Sequence, residues 1–152
     1  MKPINKLLLL AIGNPARGDD GLGPCLIQEL AKMGHESEHI FWVYQLAIEH
    51  AELFTRYKKI IIIDALKEGD QAFQFDIIRP GNAAKSDFSS HILLPSTVLK
   101  LTHQLYDAWP EAYLLGIRGH EFSLTENLSL AARKNLACGL HFICDYLTKS
   151  EV

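Results

Sequence analysis

Hydrophobic and polar positions follow two rhythms along the chain: short apolar runs, and longer stripes at helical spacing. Leu7 to Ile12 is uniformly apolar, the pattern of a parallel strand covered on both faces. Leu22, Leu26, Leu30 and Met33 then recur at spacings of four, four and three, so Gly21 to Met33 reads as an amphipathic helix. Pro24 suits its first turn and Gly34 its end. Ile40 to Tyr44, aromatic and β-branched, reads as a second strand, and Glu49 to Arg56 as a short helix with Leu53 and Phe54 inward. Lys59 to Asp64 holds four consecutive isoleucines, stiff side chains that suit a two-sided core.

Phe73, Phe75 and Ile77 alternate with Gln74 and Asp76 just after the turn-like Lys67-Glu68-Gly69-Asp70. So short a link holds no crossover helix, and this strand must run antiparallel to the third or lie at an edge. Pro80 to Ser90 reads as a polar loop, and Pro95 opens a helix carrying Val98, Leu101 and Leu105. Ala112 to Ile117 is a fifth strand, followed by a stripe of Leu128, Ala132, Leu136, Leu140, Ile143 and Leu147. Strands are thus expected near 6–12, 40–45, 59–64, 73–79 and 112–117. The order βαβαβ–β–αβα predicts a three-layer α/β/α domain around a mostly parallel sheet. No repeat or linker divides it, so residues 1–152 are read as one domain.

Composition narrows the partners. The 152 residues are 48% hydrophobic and 22% charged, with a net charge of −3, which excludes a wholly disordered chain and offers no basic field for a polyanion. No nucleic-acid partner is expected. No apolar run approaches the roughly 18 residues of a membrane span, so no membrane partner is expected either. Lys2 and Lys6 before Leu7–Ile12 imitate a secretory signal, but the run is short and ends in Gly13-Asn14-Pro15 without a small-x-small cleavage site. Three cysteines (Cys25, Cys138, Cys144) without a CxxC are no disulfide framework. The expected location is the cytoplasm.

Candidate chemistry concentrates in Gly13-Asn14-Pro15-Ala16-Arg17-Gly18-Asp19-Asp20-Gly21-Leu22-Gly23, between the first strand and first helix, where open α/β sheets place their ligand crevice. Gly13 and Gly18 have the spacing of a phosphate loop, but Asp19-Asp20 replaces its Lys-Ser/Thr and repels phosphate, and G-x-G-x-x-G is absent. Adjacent carboxylates held by glycines suit a cation, a hydrogen-bond network or a proton transfer. The bland reading is a cap on the helix near Gly21; both hold together if one aspartate caps and the other faces the crevice.

Asp64, after the isoleucines, is placed at the mouth of the same crevice, unless it merely starts a turn. His35-Glu36-Ser37-Glu38-His39 matches H-E-x-x-H by letter. That motif needs a continuous helix, and here Gly34 precedes it, Ile40 begins a strand, and no apolar residue anchors it to a core. It is a decoy. His103 and His141 fall in helical patterns as surface or boundary residues. Cys25, near a helix start, reads as a core thiol rather than an activated one.

The glycine–aspartate loop, with Ile60-Ile61-Ile62-Ile63-Asp64-Ala65, Ser89-Ser90-His91, Gly116-Ile117-Arg118-Gly119-His120-Glu121-Phe122 and Leu124-x-x-Asn127-Leu128-Ser129, resembles the hydrogenase maturation endopeptidases. Order and separations agree along nearly the whole chain. The resemblance implies a mixed five-stranded sheet in the order 2-1-3-5-4 with strand 4 antiparallel. It implies removal of a C-terminal extension from the nickel-loaded hydrogenase large subunit precursor, which is the implied partner. Carried over by position, the metal-contacting residues are Asp20, Asp64 and His91, with Asp19 and Asn14 shaping the loop. The nickel is implied to come with the precursor. Two carboxylates and an imidazole suit a borderline divalent metal. Polarisation of the scissile bond by the metal and activation of water by a carboxylate both stay open.

Two departures bear on the substrate. Gln45-Leu46-Ala47-Ile48-Glu49 stands where many members have a glycine-rich segment, and His120 where an aromatic residue is expected. The alternative function is a non-catalytic α/β binding protein of the same fold that recognises a metalloprotein or small ligand.

Overall fold

The computed structural model describes residues 3–81 and 93–150. In chain order the elements are β1 (Asn5–Ile12), a single 3-10 turn (Gly18–Gly21), α1 (Leu22–Lys32), β2 (Ile40–Val43), α2 (His50–Phe54) and β3 (Tyr57–Leu66). There follow β4 (Phe73–Ile77), α3 (Pro95–Tyr106), β5 (Glu111–Arg118) and α4 (Leu130–Ser150). The sheet order is β2-β1-β3-β5-β4, parallel throughout except for β4 against β5. The sequence expectation of a mixed 2-1-3-5-4 sheet holds, including the antiparallel fourth strand.

Alternation along the central strands divides the core into two layers. Leu9, Ala11, Ile61 and Ile63 point to one face, where Leu22, Leu26 and Leu30 of α1 and Ile143 and Leu147 of α4 cover them. Leu8, Leu10, Ile60 and Ile62 point to the other, against Phe54 of α2 and Val98 and Leu99 of α3. The run of isoleucines is completely buried. A run covered on both sides has no polar face to reveal a period, which is why β1 and β3 read as continuous apolar stretches.

Several boundaries differ from the sequence reading. β3 is longer than 59–64, because Tyr57 pairs with Asn5 at one end and Ala65 and Leu66 with Ile117 and Arg118 at the other. β2 stops at Val43, and Tyr44 and Gln45 bend away from the ladder. α4 starts at Leu130, since Ser129 caps it: its Oγ accepts the Ala132 N–H at 3.1 Å.

Residues 35–39 form no helix. His39 instead meets the Tyr57 hydroxyl through Nδ1 at 2.8 Å, a histidine satisfied within the structure. No helix among the described residues is long and apolar enough to cross a membrane.

Candidate active site

The carboxyl ends of β1 and β3 open into a cleft of about 390 Å³ lined by Ile12, Asn14, Asp20, Asp64 and Lys67, with Arg17, Tyr44, Gln45 and Phe122 around it. Parallel neighbouring strands deliver their following loops to the same end of the sheet, so residues 44 positions apart in sequence converge there. Asp20 and Asp64 thus share one cleft. His91 lies outside the described residues, as do Ser89 and Ser90. A larger hollow of about 590 Å³ sits at the opposite end, between Asn5, Lys59, Glu111 and Tyr146, away from both aspartates.

The loop after β1 is wound tightly to present Asp20. Asn14 Oδ1 accepts the Ala16 N–H at 3.0 Å, and the Asn14 carbonyl accepts the Arg17 N–H at 3.0 Å. The Asn14 N–H itself donates to Asp20 Oδ2 at 2.8 Å, which fixes that carboxylate and leaves Oδ1 without a partner among the described residues. Gly13 makes the turn possible. Its φ is +153°, and a Cβ there would lie 2.0 Å from the Asp20 carbonyl oxygen. Gly13→Ala is therefore expected to displace the Asp20 backbone and cost about 3 kcal/mol or more in urea unfolding, while also impairing activity. Gly23 serves a different end: a Cβ would meet the Ile12 and Ile63 carbonyl oxygens at 2.7 and 3.0 Å, so the glycine lets α1 start directly over β1 and β3.

Neither aspartate caps α1 with its side chain, which corrects the expectation that one of them does. Asp19 turns away from the cleft and is completely buried. Its Oδ2 accepts from the His120 N–H (2.7 Å), the Glu121 N–H (2.9 Å) and the Ser129 hydroxyl (2.7 Å), and its Oδ1 from the Ser129 N–H (2.8 Å). The Asp19 N–H donates back to the Glu121 carbonyl at 2.7 Å. Burial alone pushes this carboxyl up, but the donors from His120, Glu121 and Ser129 outweigh it and hold the acid below its ordinary range. Asp19 is the clamp that ties the 3-10 turn to the segment carrying Phe122 and to the start of α4.

Asp64 has the opposite character. Burial, with a smaller push from the charge of Asp20, raises its carboxyl to about 7 against the opposing Ala65 N–H and Lys67 charge. The Ala65 N–H reaches Oδ1 at 2.8 Å, and Oδ2 has no partner among the described residues. Each aspartate thus keeps one oxygen without a partner among the described residues. A proton on Asp64, or a cation in the cleft, relieves the cost of its charge there. Among the described residues no group of three His, Cys, Asp or Glu side chains is arranged to hold a metal ion. The two carboxylates supply hard oxygen donors.

The cleft contains residues that sequence reasoning did not single out. Lys67 reaches over the Phe122 ring, its Nζ 5.3 Å from the centroid, so one cation stands beside Asp64. Arg17 is placed by backbone pairing of its segment to Thr125, whose carbonyl accepts the Gly18 N–H at 2.7 Å. The only signal in the sequence was proximity, Lys67 standing three residues beyond Asp64. Cys25 is not activated: burial pushes its thiol up, and Glu29 adds to this.

No protein-family model matches the sequence. The chain is 27% identical over 128 residues, 78% of its length and 75% of the relative's, to a Methanocaldococcus jannaschii protein named "Putative hydrogenase maturation protease". Its fold matches the NiFe hydrogenase maturation protease HycI from Thermococcus kodakarensis with a TM-score of 0.73 at 18% identity, over 95% of this chain and 93% of that one. The hydrogenase maturating endopeptidase HybD from Escherichia coli matches with a TM-score of 0.69 at 14% identity, over 95% and 93%. The maturation protease HybD from Thermococcus kodakarensis matches with a TM-score of 0.67 at 23% identity, over 93% and 98%. The resemblance carried by the glycine–aspartate loop therefore extends to the whole fold, and the chain is similar to the hydrogenase maturation endopeptidases in both sequence and structure.

Proposed function

We propose that the chain is a hydrolase of the hydrogenase maturation type, an endopeptidase that removes a C-terminal extension from the nickel-loaded large subunit precursor of a hydrogenase. The observation that carries this reading is the meeting of Asp20 and Asp64 in one cleft at the carboxyl ends of β1 and β3, each with an oxygen that no described residue engages, within a fold shared with maturation endopeptidases. His91, implied by the sequence resemblance, completes the proposed set as the nitrogen donor.

In this reading nickel belongs to the substrate, and its capture by Asp20, Asp64 and His91 brings the scissile bond into the cleft. A bound divalent ion supplies Lewis acidity to a carbonyl oxygen. The protein's own contribution is placement and charge. Asp20 is held rigidly by the Asn14 N–H. Asp64 titrates close to neutrality, so it exchanges a proton for a cation at little cost or takes one from an attacking water. Lys67 offsets part of the negative charge in the cleft. A site complete only when the substrate brings its metal makes cleavage wait for nickel insertion.

The test is a processing assay with purified large subunit precursor, loaded with nickel or free of it. The loaded form is expected to be cleaved and the free form to stay intact. Asp20→Asn, Asp64→Asn and His91→Ala are each expected to lower cleavage by about a hundredfold while remaining folded by circular dichroism. Parent-like rates in all three folded variants exclude this site. Failure of the parent to process loaded precursor from its own organism excludes the activity, and the non-catalytic binding role replaces it.

A further inference from the structure

Among the described residues the sheet ends at β2. In its ladder with β1, the Leu9 N–H donates to the His39 carbonyl at 2.9 Å and the Gly13 N–H to the Val43 carbonyl at 3.0 Å. Backbone groups alternate sides along a strand, so residues 39, 41 and 43 face β1, whereas Ile40, Trp42 and Tyr44 turn their backbone outward. The Ile40 N–H is taken by the Ser37 carbonyl at 3.2 Å. There remains an outward row with no partner among the described residues: the Ile40 carbonyl, both backbone groups of Trp42, and the Tyr44 N–H. The side chains of β2 are all half-buried rather than buried, Tyr44 is 64% exposed, and the Trp42 and Tyr44 rings meet edge to face at 5.1 Å.

This row leads into the aspartate cleft, because Tyr44 and Gln45 line it. We infer that the outer edge of β2 is the docking strand for an extended segment of the protein substrate, which pairs with the backbone of Trp42 and passes over Tyr44 and Gln45 to Asp20 and Asp64. The inference rests on the endopeptidase reading and adds the surface that grips the chain to be cut.

The chemistry of peptide cleavage favours this occupant. A scissile bond is reached only when its chain is drawn out of its own structure, and an extended chain presents the alternating donors and acceptors that a strand edge lacks. The distance fits as well. From beyond β2 to the boundary of β1 and β3 is two to three strand spacings, on the order of 12 Å, which an extended peptide covers in about four residues. The free row is only three residues long, enough for a few main-chain hydrogen bonds and short enough to limit permanent pairing between copies.

The experiment uses a synthetic peptide copying the precursor across its cleavage site, and the full chain carrying Trp109→Phe, which leaves Trp42 as the single tryptophan. Peptide binding is expected to shift Trp42 emission. N-methylation of the peptide backbone, one residue at a time, is expected to weaken binding by about fivefold to tenfold at every second position along one stretch and little between them. Side-chain recognition alone gives no such period of two.

A second measurement compares Tyr44→Pro with Tyr44→Ala in precursor processing. Both remove the ring, and only proline removes the outward N–H; Val43 before it already has the extended backbone that proline demands. Tyr44→Pro is expected to raise KM about fivefold above Tyr44→Ala with similar kcat. Binding indifferent to N-methylation, or equal KM in the two variants, overturns the docking strand while processing by the parent leaves the endopeptidase reading standing. Retained period-two sensitivity in a protein that cleaves nothing sinks the activity instead. Emission that responds to the protein's own concentration and not to peptide shows the edge to be an interface between copies, which also overturns the inference.

Discussion

Asp64→Asn is expected to unfold at a higher temperature than the parent at pH 8 while losing its processing activity. The unfolded chain ionises Asp64 near the ordinary value of 3.8, and the folded protein only at about 7. At pH below 3.8 the group is protonated in both states and its folded environment costs nothing. As pH rises from there, the unfolded state ionises first, so stability is lost progressively until the folded pKa is passed. Above pH 7 the full penalty stands. Asparagine stays neutral at every pH and keeps a carbonyl oxygen for the Ala65 N–H that now reaches Oδ1 at 2.8 Å.

The gain at pH 8 is about 2 kcal/mol, after discount for the part of the side chain that reaches solvent. It should fade at pH 4. Thermal unfolding of both proteins at pH 4, 6 and 8 measures it, and a constant difference across that range shows that Asp64 ionises as an ordinary carboxylate. The same acid base balance bears on processing. If cation capture requires ionised Asp64, the parent's rate with loaded precursor falls as pH drops below about 7, and a flat profile from pH 6 to 8 separates the two effects.

How far the chain could be read before folding depended on the range of the forces involved. β1 and β3 were visible because residues such as Leu8 to Leu10 and Ile60 to Ile63 are buried on both faces, and that requirement is written into each residue separately. The antiparallel course of β4 followed from a link too short for a helix, a constraint of chain length alone. H-E-x-x-H at residues 35–39 reads as a decoy because local backbone preference opposes a helix there, and the structure has none.

The site was legible to the extent that it depends on strand ends. Asp20 and Asp64 follow β1 and lie near the end of β3, and parallel neighbours bring such residues together. What the sequence left open was the division of labour between Asp19 and Asp20. Adjacent carboxylates are chemically equivalent until something distinguishes them, and here that is a set of donors at residues 120, 121 and 129, about a hundred positions away. Lys67 and Phe122 meet over the cleft for the same long-range reason. The end of β2 at Val43 was likewise hidden, because Tyr44 is a good strand former that leaves the ladder only where the cleft begins.

Asp19→Ala is expected to be strongly destabilising, by about 3 kcal/mol at pH 7. Removing the carboxylate, itself completely buried, leaves the His120, Glu121 and Ser129 N–H groups and the Ser129 hydroxyl without the acceptor they share. It also loosens the cap of α4, because the Ser129 Oγ that accepts from Ala132 is oriented by donating to Asp19. Asp19→Asn keeps the volume and one acceptor oxygen, but its amide group faces at least one donor. Its cost is therefore expected to be smaller, about 1–2 kcal/mol. Acid separates this role from that of Asp64. The folded carboxyl of Asp19 lies below its ordinary value, so its stabilisation is complete above pH 3.8 and is lost as pH falls through the folded pKa. Urea unfolding of parent and Asp19→Asn at pH 7 and at pH 2–3 is expected to show a large difference at the first and a smaller one at the second, because below 3.8 the unfolded parent takes up the proton that the folded carboxyl resists. A difference that stays constant into acid assigns the loss to packing rather than to the carboxylate's charge. Asp19 and Asp64 thus differ in sign as well as in place: neutralising Asp19 weakens the fold, whereas neutralising Asp64 in the cleft strengthens it.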